Sequence, residues 1–278
     1  MGIWIWRLGI TAVLLTTTFY YGRGRHLVPS SRLSATSFTA GIAILLLALA
    51  TPFHQLASQY FSLRVAQHLL LIAWIPALLM AANPLPQILA GLPDGWRGWL
   101  EEKRPFVAKI RPFTNRGVAW LLFISTFWLW YDPLIHQATL LHPLLRWVEI
   151  PMLLGTALLY WWHITQAYPY WHPPIPPLAR AAYTIIGAAP IKIVGLILLI
   201  NPQTVFLYPQ TFHFSGLDIN DYNVGSMLIW VLGGIVFSTT TILLMRDWLK
   251  TEEDKPSLPI STWSSDEALA APGLRRKS

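Results

Sequence analysis

The chain has 278 residues, 54% of them hydrophobic and only 12% charged, with a formal net charge of +7 and no cysteine. A soluble domain is about 25% charged, so this composition points to a bilayer as the surrounding solvent, and the lack of cysteine excludes disulfides, thiolate metal sites and thiol redox relays. In such a chain the basic excess reads as Lys and Arg retained on the cytoplasmic side, not as a nucleic-acid surface.

The charges sit in short blocks between long apolar runs, and many of the 15 Trp lie near the ends of those runs, as interfacial anchors do. The first run, 3–21, is apolar apart from Arg7, and the basic stretch Gly22-Arg23-Gly24-Arg25 follows it. A secretory signal carries its charge before the apolar core and ends on a small-residue cleavage pattern, so this run reads as a retained first span. Six further runs match the roughly 20 residues a span needs: 35–54, 65–83, 117–135, 143–163, 179–201 and 222–245. The fold expected is all-α, a polytopic bundle of about seven transmembrane helices over residues 1–250, followed by a flexible cytoplasmic tail over 251–278. Pro76, Pro151 and Pro190 should kink their helices where packed neighbours satisfy the freed carbonyls. Gly155 and Gly233-Gly234 should permit close helix approach.

Orientation follows from the basic residues. Arg23, Arg25 and Arg32 follow the first span; Arg97, Lys103, Arg104, Lys109, Arg111 and Arg116 follow the third; Arg246, Lys250, Lys255, Arg275, Arg276 and Lys277 follow the last. The other side carries only Arg64 and Arg146. The positive-inside rule therefore puts the N-terminus outside and the C-terminus in the cytoplasm of a cell membrane, bacterial cytoplasmic or another energy-coupling membrane. The long third loop, with Trp96 and Trp99 beside Glu101, Glu102 and Lys103, reads as a segment lying along the inner interface with both indoles in the headgroups.

With that topology His54, His68, His136, His142 and His213 fall at or just inside the outer face, and His26, His163 and His172 toward the inner one. Imidazole suits copper or zinc, so the outer five are candidate metal ligands, although no pair has a tight H-x-x-x-H spacing. The alternative for each is an interfacial hydrogen-bonding side chain. His68 follows Gln67 about one turn into the third span, so a polar pair enters the hydrocarbon together and requires partners inside the bundle.

Charges also enter the spans. Asp132 lies near the outer end of the fourth, Glu149 in the fifth and Lys192 in the sixth. At 1.5 Å per residue the last two lie roughly 9 and 13 Å deep. A lone charge at mid-bilayer costs about 2.5–3.5 kcal/mol on insertion scales, so Glu149 and Lys192 are expected to pair inside the bundle, directly or through a polar neighbour. Asp218 and Asp221, before the last span, give the outer mouth a negative potential.

Several segments, in order, resemble the CtaG family of multi-spanning cytochrome c oxidase assembly factors. These are Phe38-Thr39-Ala40-Gly41, Thr51-Pro52-Phe53, Gln67-His68-Leu69-Leu70-Leu71, Trp130 with Pro133, Glu149, Leu207-Tyr208-Pro209, and Asp221, Gly225, Trp230 and Gly233. The resemblance covers about residues 35–250. It implies a non-enzymatic membrane protein that works with cytochrome c oxidase subunits in the maturation of a haem-copper oxidase, near copper delivery at the outer face. The chain departs from the family pattern at its imidazoles. Arg64 stands at the first position of H-M-x-Q-H, Tyr131 replaces the histidine of W-H-x-P, and Arg146 and Ile150 replace both histidines of H-x-x-E-H. His54 stands where an aspartate is expected, and Tyr222 where a glutamine follows Asp221. Arginines at two of these positions would repel a cation. The alternative function is a small transporter or channel with Asp132, Glu149 and Lys192 along a polar path. No nucleophile–base pattern or phosphate loop supports an enzyme.

Overall fold

The structure is a computed structural model that describes residues 2–200, 206–208 and 220–254. His213, Asp218 and the tail from 255 onward, expected to be flexible, lie outside the described residues. Every apolar run falls on helix, and no strand occurs among the described residues. Helix α1 spans Gly2–Arg25, α2 Arg32–Ala50 and the single turn α3 Phe53–Leu56. Helix α4, Phe61–Leu69, widens into a π turn over Leu70–Trp74 and continues as α5, Ile75–Ala82. Then come α6 (Leu85–Gly91), α7 (Asp94–Ile110) with a 3₁₀ turn over Arg111–Thr114, α8 (Arg116–Trp130) and α9 (Pro133–Leu141). The chain closes with α10 (Pro143–Thr165), α11 (Pro177–Ile200) and α12 (Asp221–Glu253).

Among the described residues four helical segments are long and apolar enough to cross a membrane: α2, α4 through α5, α11 and α12. A fifth is added if α8 and α9 count as one span, although they meet at a 68° bend. The sequence reading ran the fourth span straight through this bend. The break is local chemistry: the Asp132 carboxylate accepts from the amides of Leu134 and Ile135 at 3.0 and 3.2 Å, and Pro133 opens a new helix in its first turn. Asp132 is thus an exposed helix cap whose carboxylate is satisfied by backbone amides.

At two of the prolines a packed neighbour satisfies the freed carbonyl. A helical proline strips the hydrogen bond from the carbonyl four residues back. For Pro76 that carbonyl is Ile72, and the Trp161 indole on α10 donates to it at 2.9 Å. For Pro190 it is Ile186, reached by the Trp120 indole on α8 at 3.4 Å. Both tryptophans therefore act as proline partners in the packing, not only as anchors.

One core joins α4, α8, α10, α11 and α12 around Phe61, Phe123, Phe127, Tyr160 and Trp161, with Phe123 stacked on Tyr160 at 4.4 Å. A second joins α1, α2 and α5 around Tyr21, Phe38, Leu45 and Leu71. The closest backbone approach is between α1 and α6, where a Cβ on Gly24 would meet the Gln87 carbonyl oxygen at 1.7 Å and one on Gly91 the Tyr20 carbonyl oxygen at 2.0 Å. Of the approaches expected at Gly155 and Gly233-Gly234, the second pair is close: a Cβ on Gly233 would meet Leu69 of α4 at 3.2 Å and one on Gly234 the Lys192 ammonium of α11 at 3.3 Å, whereas Gly155 faces open space. The third loop forms helix α7, with Trp96 and Trp99 exposed on it.

Candidate functional site

The site is built where α3, α4, α9 and α10 meet. On α4, Arg64, Gln67 and His68 recur at three- and four-residue spacing, so one helical face carries all three. On α10, Arg146 and Glu149 share a face for the same reason. All five side chains are buried, as are His54 on α3 and His136 and Thr139 on α9.

The centre is an ion pair. Arg64 Nη2 lies 2.5 Å from Glu149 Oε2, with the side chains 0% and 1% exposed, and also donates to Thr139 Oγ1 at 2.6 Å. The Thr139 hydroxyl passes its own proton to the His136 carbonyl at 2.7 Å. His68 Nε2 stands 3.2 Å from the second carboxylate oxygen, close enough to feel its charge but not aligned for a hydrogen bond. The guanidinium gives the buried carboxylate an opposite charge through one charge-assisted bond, Nη2 to Oε2.

A second layer surrounds His54. Arg146 Nη2 donates to the His54 carbonyl at 2.6 Å and to Gln67 Oε1 at 3.3 Å. Gln67 Nε2 donates to the Ala48 carbonyl at 2.5 Å and lies 3.1 Å from His54 Nδ1. Trp6 on α1 stacks between His54 and Trp147, with ring centroids 5.9 and 5.8 Å away. On the other flank His136 Nδ1 lies 2.8 Å from the Trp130 carbonyl, so that nitrogen carries a proton. Its Nε2 then accepts from the Tyr208 hydroxyl at 2.6 Å.

Asp221 works at a neighbouring joint. It is 1% exposed and accepts from the amides of Phe61 and Ser62 at 2.7 and 3.3 Å, and from the Ser62 hydroxyl. The first residue of α12 thereby caps α4 and fixes it two residues before Arg64. This carboxylate belongs to the packing, not to a solvated mouth.

The structure brings together His54, His68, His136 and Glu149 from the sequence candidates. It leaves out His142, which is exposed at the start of α10, and Lys192. The expected pairing of Glu149 with Lys192 does not form: Arg64 takes the carboxylate, and the Lys192 ammonium lies over the Trp230 ring at 5.7 Å. Arg64 and Arg146 are the residues that sequence reasoning undervalued, treating them as repulsive substitutions. The signal lay in their spacing, since Arg64 shares a helical face with His68, and Arg146 one with Glu149.

The donor set does not suit a copper ion. Among the described residues no three His, Cys, Asp or Glu side chains converge as metal ligands. Both nitrogens of His136 are engaged, His54 Nδ1 faces Gln67, and the guanidiniums of Arg64 and Arg146 lie against Glu149 and His54.

The family model described as cytochrome c oxidase caa3 assembly factor, Caa3_CtaG, matches residues 9–251. The chain belongs to this family. Comparison with curated proteins and with solved structures yields no match. The Caa3_CtaG match extends beyond the 35–250 region that carried the sequence resemblance and takes in α1 from its second turn onward. At two positions where the resemblance expects imidazoles, this Caa3_CtaG member uses Arg64 and Arg146, both turned into the buried cluster.

Proposed function

We propose that this chain assists maturation of a haem-copper cytochrome c oxidase as a seven-span protein of an energy-coupling membrane, with its N-terminus outside and its C-terminus in the cytoplasm. Residues 9–251 matching the oxidase assembly family carry the reading. The segregation of Lys and Arg supports the orientation, and α1 and α10, at 24 and 23 residues, have the length for the two spans beyond the five candidates.

In this reading the protein works by binding oxidase subunits within the membrane, and copper is not held at the Arg64–Glu149 cluster. The guanidinium does there what a cation would otherwise do: it neutralises Glu149 and locks α4 to α10. The role is that of an assembly factor and not a catalyst. The transporter alternative needs Glu149 and Lys192 on one polar path. Glu149 is 1% exposed and pairs with Arg64, whereas Lys192 lines a separate cavity of about 320 Å³ between α11 and α12.

The test is gene deletion followed by assay of terminal oxidase activity, with and without added copper. The expected result is loss of activity that copper does not restore. Unchanged activity in both media removes the assembly reading, and full rescue by copper removes the copper-free mechanism.

A further inference from the structure

A second polar centre lies at the opposite end of α10 from His142, where the loop 166–176 folds back between α10 and α11. It encloses a cavity of about 300 Å³ lined by Trp162, His163, Tyr170, Trp171, His172 and Ile175, among others. Trp162 and Trp171 stand perpendicular at 5.7 Å, and the rings of His163 and His172 are 5.3 Å apart. The Gln166 side chain closes the loop by donating to the Ile175 carbonyl at 2.9 Å.

The hydrogen bonds assign the tautomer of both imidazoles. His163 Nε2 lies 2.8 Å from the Thr114 carbonyl, which only accepts, so this nitrogen carries the proton. His172 Nε2 lies 3.0 Å from the Thr114 hydroxyl, whose own proton goes to the Arg111 carbonyl at 2.9 Å. His172 Nε2 must therefore donate as well. Each ring is left with a bare Nδ1, an acceptor with no hydrogen-bond partner among the described residues. Burial, and then Arg111 and Arg116, hold His172 below the ordinary imidazole range, so it stays neutral and accepting at neutral pH.

The charged surroundings are basic. Arg111 and Arg116 act on His172, and Arg116 Nη2 donates to the carbonyl of Pro173 in the cavity wall at 2.5 Å. Arg180 holds the Ile164 carbonyl at 2.6 Å and is opposed by Asp247. Two bare acceptors call for hydroxyl donors, the arginines call for an anion, and the Trp and Tyr walls at the helix ends suit the headgroup level of a bilayer. A metal ion would meet these guanidiniums with only two imidazoles to hold it.

We propose that this cavity binds the headgroup of an anionic, hydroxyl-bearing phospholipid, its phosphate facing Arg111 and Arg116 and its hydroxyls donating to Nδ1 of His163 and His172. The full chain, purified in mild detergent, can be tested by native mass spectrometry with phosphatidylglycerol against phosphatidylcholine. Retention of phosphatidylglycerol is expected to exceed that of phosphatidylcholine about tenfold. His172→Phe, which keeps a ring in the wall but removes the acceptor, brings that ratio to within about twofold, and Arg111→Gln, at an exposed residue of the turn that carries Thr114, moves it the same way. Equal retention of the two lipids, or unchanged selectivity in His172→Phe, overturns the proposal. Thermal stabilisation by glycerol 1-phosphate as large as that by phosphatidylglycerol reassigns the cavity to a soluble phosphate and overturns the lipid. Stabilisation by zinc(II) that His172→Phe abolishes, with no lipid preference, overturns it in favour of a metal.

Discussion

Arg64 and Glu149 meet at 2.5 Å with essentially no solvent on either side chain, 85 residues apart in the chain. Removing one partner of a buried pair leaves the other charge stranded and costs about 3–5 kcal/mol, whereas replacing both with apolar groups costs far less. Arg64→Met and Glu149→Met should each cost that much, and the double variant less than either. Unfolding in a mild detergent titrated with a denaturing one measures all three. Additive losses in the double variant are incompatible with the pair as described.

Trp161 should behave as a structural donor. Trp161→Phe keeps most of the apolar volume but abandons the Ile72 carbonyl that Pro76 leaves open, at about 1–3 kcal/mol. Trp120→Phe, acting at 3.4 Å on a more exposed carbonyl, should cost less. Thermal unfolding followed by circular dichroism ranks the two, and the reverse order would contradict the proline account.

Asp221 ties α12 to the start of α4, so its loss should be felt locally first. Asp221→Ala is expected to cost about 1–2 kcal/mol, the range for a lost helix cap, and to speed hydrogen exchange at the Phe61 and Ser62 amides. Exchange at those amides that does not change would show that the carboxylate is not their partner.

The α1–α6 contact tolerates no side chain at Gly24. Gly24→Ala drives a methyl into the Gln87 carbonyl and should cost about 1–3 kcal/mol by overpacking. Gly9→Ala, on the same helix but with nothing within 4 Å of its Cβ, should be neutral or slightly stabilising. Melting temperatures of the two variants, compared with the parent, decide the point.

Much of the architecture was legible in the chain itself. Apolar runs long enough to cross a bilayer must be helical, because an unpaired backbone amide has no partner in hydrocarbon. Hence all seven runs coincide with helix, although the run at 117–135 hid a cap at Asp132 and a 68° bend. Proline positions likewise announced carbonyls in need of outside donors, and the order of short segments along the chain announced a family. The burial requirement of Glu149 was legible too, since a charge at that depth needs a partner.

What sequence alone determined, then, is the helical membrane-like character, the family, and the list of groups that lipid would punish if left unpaired. Which groups pair was decided only by tertiary structure. Depth along a span is counted residue by residue, but the direction a side chain faces depends on how helices turn against one another. Glu149 faces α4 and meets Arg64, while Lys192 faces Trp230 on α12. The same geometry turned two arginines that looked hostile to the site into the cations that complete it.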